Sequence, residues 1–206
     1  MSLSDVELIS GPGTLQWAPL REHFDVGAFG INAYVAASAG QDLVERHTEE
    51  VRQHEEAYIV LSGRARFTLD GELTDAPAGT VVFVRDPAVE RSAVAAEPGT
   101  TVLAVGARPG VAYAPGPWEP IYLARARWLD GDYAGAITAL VHGLELHPDH
   151  PMILYRLASW EALDGRTDDA LDHLQRAVAL RGALHEQASE DRAFDALRDS
   201  PRFPIA

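Results

Sequence analysis

The chain has no cysteine, which excludes a disulfide framework and any thiolate metal site and suits a reducing compartment. Long apolar runs are missing too. Nothing approaches the ~20 residues of a membrane-spanning helix, and the opening MSLSDVELIS lacks the basic start and apolar centre of a secretion signal. Positive charge is scarce: 17 basic side chains stand against 31 acidic ones, a formal charge of -14. A field of that sign repels phosphate backbones and anionic lipid. These absences set aside nucleic acid and membranes as partners, and the expected location is the cytoplasm. A glycine-rich phosphate loop, a P-loop and a serine nucleophile elbow are likewise absent.

What is present is a globular composition, with 47% hydrophobic and 23% charged residues over 206 positions, enough for one large domain or two small ones. From Trp17 to about Val105 the pattern is short apolar runs cut by Gly, Pro and Asp. YIVLS, RFTL, TVVFV and TVLAV are rich in β-branched and aromatic residues, and Asp70-Gly71 lies between two runs as a tight-hairpin signal. Strands at this spacing predict a sandwich or small barrel. Pro109, Pro115, Pro117 and Pro120 then mark residues 109–120 as a linker.

Beyond the linker the period becomes helical. Leu129, Asp130 and Gly131 recur 34 residues later as Leu163, Asp164 and Gly165, and Ala136, Leu140 and Leu146 recur as Ala170, Leu174 and Leu180. This period, with GDYAGAITALVHGLELHP, resembles the tetratricopeptide repeat over residues 118–182. The resemblance implies paired helices, with Gly131 in the turn, Ala136 at their close approach and Pro148 ending the second helix. Two repeats are fewer than a free-standing array needs, so they require cover. The last segment, EDRAFDALRDSPRFPIA, with Phe194 and Leu197, is expected to form a short capping helix. Peptide capture through a carboxylate clamp is not expected, because MILYRLASWEALDG offers Tyr155, Arg156, Ser159 and Ala162 where such clamps carry lysine and asparagine.

In the first half, Glu56 followed by AYIVLS and Gly63, with Gly79 and TVVFV further on, is similar to the two motifs of the cupin family over residues 41–105. The likeness implies a double-stranded β-helix, a jelly-roll barrel. The family's paired histidines are replaced here by His47-Thr48-Glu49, and RDPAVERS offers Glu90 or Arg91 where the second motif keeps a histidine.

Strand alternation adds a constellation of its own. Residues two apart share a face, so His54 and Glu56 line up with Tyr58 and Val60, and His47 and Glu49 meet them across a hairpin. Two imidazoles and two carboxylates, His47, Glu49, His54 and Glu56, suit a divalent transition metal such as Fe, Mn, Ni or Zn. Polar side chains at a barrel mouth that bind each other and water are the competing reading. Tyr58, Arg64, Phe83 and Glu90 are the remaining candidates to line the barrel and touch a ligand. His142, His147, His150, His173 and His185 share no ligand spacing.

The resulting expectation is an α+β multidomain protein. Residues 1–108 form a cupin-like β-barrel with an N-terminal extension, 109–120 a linker, and 121–206 tetratricopeptide-like helical hairpin repeats with a C-terminal capping helix. The combination resembles small bacterial proteins. Two functions stand open: a non-enzymatic barrel that binds or senses a small molecule, coupled to a helical domain for protein or peptide interaction or homodimer formation, or a metal-dependent enzyme of dioxygenase or isomerase type.

Overall fold

The computed structural model describes residues 2–204; Met1, Ile205 and Ala206, the outer limits of the two expected domains, lie outside the described residues. The chain divides into two compact units, Met1–Pro115 and Gly116–Ala206.

The first unit carries strands β1 (Ile9–Ser10), β2 (Gln16–Ala18), β3 (Gly30–Val35), β4 (Asp42–His47), β5 (Glu55–Ser62), β6 (Arg64–Leu69), β7 (Glu72–Pro77), β8 (Val81–Val84), β9 (Arg91–Ala95) and β10 (Thr101–Ala107), with a one-turn helix α1 (Leu20–His23) after β2. They make two antiparallel sheets, ordered β1-β2-β3-β10-β5-β8 and β4-β9-β6-β7. Successive strands from β3 to β6 alternate between the sheets, and the order is that of the double-sheet jelly roll, which cupins share with other families. Together with the helices this is an α+β protein.

Alternation along the strands fills the space between the sheets. Tyr58 and Val60 of β5, Ala65 and Phe67 of β6, Val82 and Val84 of β8, and Ala93 and Ala95 of β9 form one buried cluster. Val6, Ala18 and Leu20 build a second cluster with Ala33 of β3, so the N-terminal extension covers part of the larger sheet. Asp70 and Gly71 have φ of 47° and 86° and join Leu69 to its partner Glu72, which is the two-residue turn whose twist matches the strands it connects. Gly63 is required twice over: its φ is 68°, and a Cβ there would lie 2.8 Å from the Thr100 Cα.

The second unit contains helices α2 (Trp118–Leu129), α3 (Tyr133–Leu146), α4 (Pro151–Leu163), α5 (Thr167–Leu180) and α6 (Leu184–Glu190). Helix α2 starts inside the stretch expected as linker, because proline is tolerated in a first helical turn, where the amide it lacks has no partner to lose. Gly131 and Gly165 occupy the same left-handed position, φ 83° and 80°, after α2 and α4. Ala136, Ile137 and Leu140 of α3 pack with Ala124, Ile153, Leu157 and Trp160. Trp128 stacks on Trp160 with centroids 5.0 Å apart.

The expected capping helix is a correction. Its described residues form only a 3-10 turn, Arg192–Phe194, followed by further turns, and it is α6 that supplies regular helix near the end. The cover itself is real: Phe194, Leu197 and Phe203 are buried with Tyr155, Leu171 and Leu174, and the Tyr155 hydroxyl donates to Asp191 at 3.0 Å. No helix among the described residues is long and apolar enough to cross a membrane.

Candidate metal centre

His47 ends β4 opposite Arg91, which begins β9. The register of this pair shifts between Val44 and His47, a bulge that brings two residues three positions apart onto the inner face. Glu56 enters from β5 by simple alternation with Tyr58. Its cross-strand partner is Gly106, where a Cβ would come within 2.9 Å of the Glu56 Cγ, so the glycine leaves room for the carboxylate. Glu49 comes from the loop after β4. Its amide donates to the Pro87 carbonyl at 2.9 Å, and its own carbonyl accepts from Gln53 at 2.6 Å, which fixes the loop across the barrel mouth.

His47, Glu49 and Glu56 each offer a ligand atom, all lying within 4.8 Å of one another. His47 Nε2 is 3.7 Å from Glu49 Oε1 and 3.7 Å from Glu56 Oε2. The other ring nitrogen, Nδ1, lies 2.8 Å from the Glu45 carbonyl, which sets the tautomer and turns Nε2 toward the carboxylates. His54, expected beside them, precedes β5 and stands behind the trio: its Nδ1 is 3.3 Å from Glu49 Oε2, and its ring lies 5.8 Å from that of Tyr113. Burial first and then Arg52 hold His54 below its ordinary value.

The two carboxylates differ. Burial raises Glu49, and the neighbouring Glu56 raises it further. Burial works on Glu56 the same way, but His47 and the Tyr58 hydroxyl more than offset it, and Glu56 is held low. Tyr58 donates to Glu56 Oε2 at 2.6 Å, and burial together with that carboxylate pushes the phenol well above its usual value. His47 is opposed by burial yet raised overall by Glu56, the Glu45 carbonyl and Glu49.

Of the residues expected to line the barrel, only Tyr58 does so. Arg64 is a correction: it leaves the outer side of β6, where it pairs with Asp75 and, at 3.4 Å, with Glu97, because Ala65 and Phe67 hold the inner positions. Phe83 is another, since Val82 and Val84 take the inner face of β8 and leave Phe83 49% exposed beneath the Arg85 guanidinium. Glu90 is the third, a half-buried partner of Arg46 at 3.0 Å. The neighbour that alternation on β9 places inside is Arg91, fully buried, with Nε 3.6 Å from Glu56 Oε2. Its signal was the Arg91-Ala93-Ala95 alternation, in which the small residues identify the inner face.

A divalent metal fits this donor set. Glu49 Oε2 is buried and makes no hydrogen bond, with only His54 Nδ1 facing it at 3.3 Å, an acceptor that a cation satisfies. One imidazole with two carboxylates suits Mn, Fe, Ni or Zn. No protein-family model and no curated protein matches the chain. Similar solved structures include a cupin protein from Bacteroides fragilis, 20% identical over 55% of this chain and 92% of that one, TM-score 0.41. A sugar phosphate isomerase from a cupin superfamily of Silicibacter pomeroyi is 16% identical over 52% and 74%, TM-score 0.44. The cupin domain of Schizosaccharomyces pombe Cnp3 is 14% identical over 52% and 72%, TM-score 0.43. At scores this low the likeness adds nothing to what the strand order itself establishes, a jelly roll with a His/Glu cluster at its mouth.

Proposed function

We propose that the jelly-roll unit is a non-enzymatic small-molecule-binding module of cupin type, holding a divalent transition metal through His47 Nε2, Glu49 and Glu56 as part of its binding site. The observation that carries this reading is the convergence of His47, Glu49 and Glu56 within 4.8 Å, with Glu49 Oε2 buried, making no hydrogen bond and facing only His54 Nδ1 at 3.3 Å. Such a pair of carboxylates is costly in a closed barrel mouth and becomes favourable when a cation is bound. The helical unit is read as a tetratricopeptide-like array that serves protein interaction or homodimer formation. Its support is the recurrence of Gly131 as Gly165 and of buried Ala136 as Ala170 at one offset.

Metal content tests the barrel. Protein purified without chelator is expected to carry close to one transition ion per chain. Stripped protein is expected to gain thermal stability on adding Fe(II), Mn(II), Ni(II) or Zn(II), since a ligand of the folded state raises its stability. His47→Ala is expected to lose both effects. No ion and no thermal shift with any of the four sinks the reading. The second reading, a metal-dependent enzyme of dioxygenase or isomerase type, draws on the same trio and is distinguished by turnover of a small molecule in the loaded protein. Sedimentation of the full chain tests homodimer formation.

A further inference from the structure

Arg91 is left over when the metal trio is assembled. Its side chain is fully buried, and charges in such places are ordinarily paired. It is held from one side, with Nη1 donating to the Pro87 carbonyl at 3.4 Å and Nη2 to the Asp86 carbonyl at 3.5 Å. Its Nε has no hydrogen-bond partner, although Glu56 Oε2 is 3.6 Å away. That oxygen is already taken: it accepts from Tyr58 at 2.6 Å and faces His47 Nε2 at 3.7 Å. The mouth therefore holds two buried atoms of opposite sign that make no hydrogen bond, Glu49 Oε2, 3.3 Å from His54 Nδ1, and Arg91 Nε, 3.6 Å from Glu56 Oε2.

A divalent ion answers only the acidic one. Its two charges balance the carboxylates of Glu49 and Glu56, His47 coordinates as a neutral imidazole, and because Arg91 then shares its one nearby carboxylate, Glu56, with the ion, the buried group is left with one net positive charge. An anion is the natural complement, and guanidinium recognises carboxylate well. Resting on the metal reading above, we propose that the ligand is a small chelating carboxylate of the 2-hydroxy-acid or 2-oxo-acid class, bound to the ion and to Arg91 Nε together. Ion and anion then bind with positive and reciprocal coupling.

The test uses the full chain, stripped and loaded with Mn(II), titrated calorimetrically with glycolate and with glycolamide, which has the same shape without the charge. The loaded protein is expected to bind glycolate about tenfold more tightly than either the stripped protein binds glycolate or the loaded protein binds glycolamide. Arg91→Gln is expected to erase the preference for glycolate over glycolamide, with Mn(II) affinity read separately. Equal binding of the two compounds by loaded wild type, or an undiminished preference in Arg91→Gln, overturns the proposal. If that variant does not fold, the comparison on wild type decides by itself. If Mn(II) does not bind, the titration is run with whichever of Fe(II), Ni(II) and Zn(II) does; binding of none of the four removes the metal reading and this inference with it, whereas ion binding without a glycolate preference removes the inference alone.

Discussion

His47 and Arg91 are cross-strand partners on β4 and β9, and both reach one oxygen: Glu56 Oε2 lies 3.7 Å from His47 Nε2 and 3.6 Å from Arg91 Nε. Tyr58 supplies a third contact to it at 2.6 Å. Glu56 is thus held low inside the barrel, while burial first and then Glu56 itself push Glu49 the other way. Two carboxylates at one mouth have been driven apart by their surroundings, a pattern that makes the mouth a candidate functional site.

Replacing Glu49 by glutamine is expected to stabilise chelator-treated protein by about 1 kcal/mol near neutral pH. The folded value of Glu49 is raised above 4.5, so its contribution to stability is fully present below 4.5 and is lost as pH rises through the raised value. At neutral pH the ionised group is a cost, and glutamine removes it. Urea unfolding at about pH 7 and about pH 4 checks this, with the gain confined to the higher pH; equal effects at both contradict the assignment.

Tyr58→Phe removes the donor to Glu56 and is expected to cost about 1 to 3 kcal/mol at neutral pH. The folded value of Glu56 is depressed, so its stabilisation is present above 4.5 and disappears as pH falls through the depressed value. The penalty should shrink over the same acid range. A penalty that does not vary with pH would assign Tyr58 to packing alone.

Gly106→Ala places a Cβ 2.9 Å from the Glu56 Cγ and is expected to cost about 1 to 3 kcal/mol by overpacking. In a Glu56→Ala background the cost should fall, because the clashing methylene is gone, while the approach to the Glu55 carbonyl oxygen at 3.1 Å remains. Additive costs in the double-mutant cycle would place the strain elsewhere.

Phe194→Ala opens the cluster that covers α4 and α5, where Phe194 is fully buried against Tyr155 and Phe203. The expected loss is about 3 to 5 kcal/mol. A loss below 1 kcal/mol, read by denaturant unfolding, would mean that the two hairpins hold without this cover.

Much of this protein was legible in the chain because it depends on local rules. Asp70-Gly71 announces a hairpin since only residues that accept positive φ make that turn, and β-branched runs cut by glycine announce strands. Glu56, Tyr58 and Val60 share a face because alternation is a property of any strand. The 34-residue recurrence fixes which alanines and leucines are equivalent in the two hairpins. Alternation also misled where its phase was unknown: Arg64 and Phe83 carry the right chemistry on the wrong face, and the period cannot say which face is inner.

Only the tertiary structure decided the site. His47 is three residues from buried Val44, so a regular strand puts them on opposite faces, and the bulge against β9 is what turns His47 inward. Glu49 reaches the mouth through the hydrogen bond its backbone N–H donates to the carbonyl of Pro87, 38 positions along the chain. Arg91 becomes a buried cation beside Glu56 because β9 lies between β4 and β6, an order set by the closure of two sheets. The sequence determined which residues could be ligands and which elements would carry them. Long-range strand pairing, a sum of many weak contacts that no local pattern encodes, decided which of them meet.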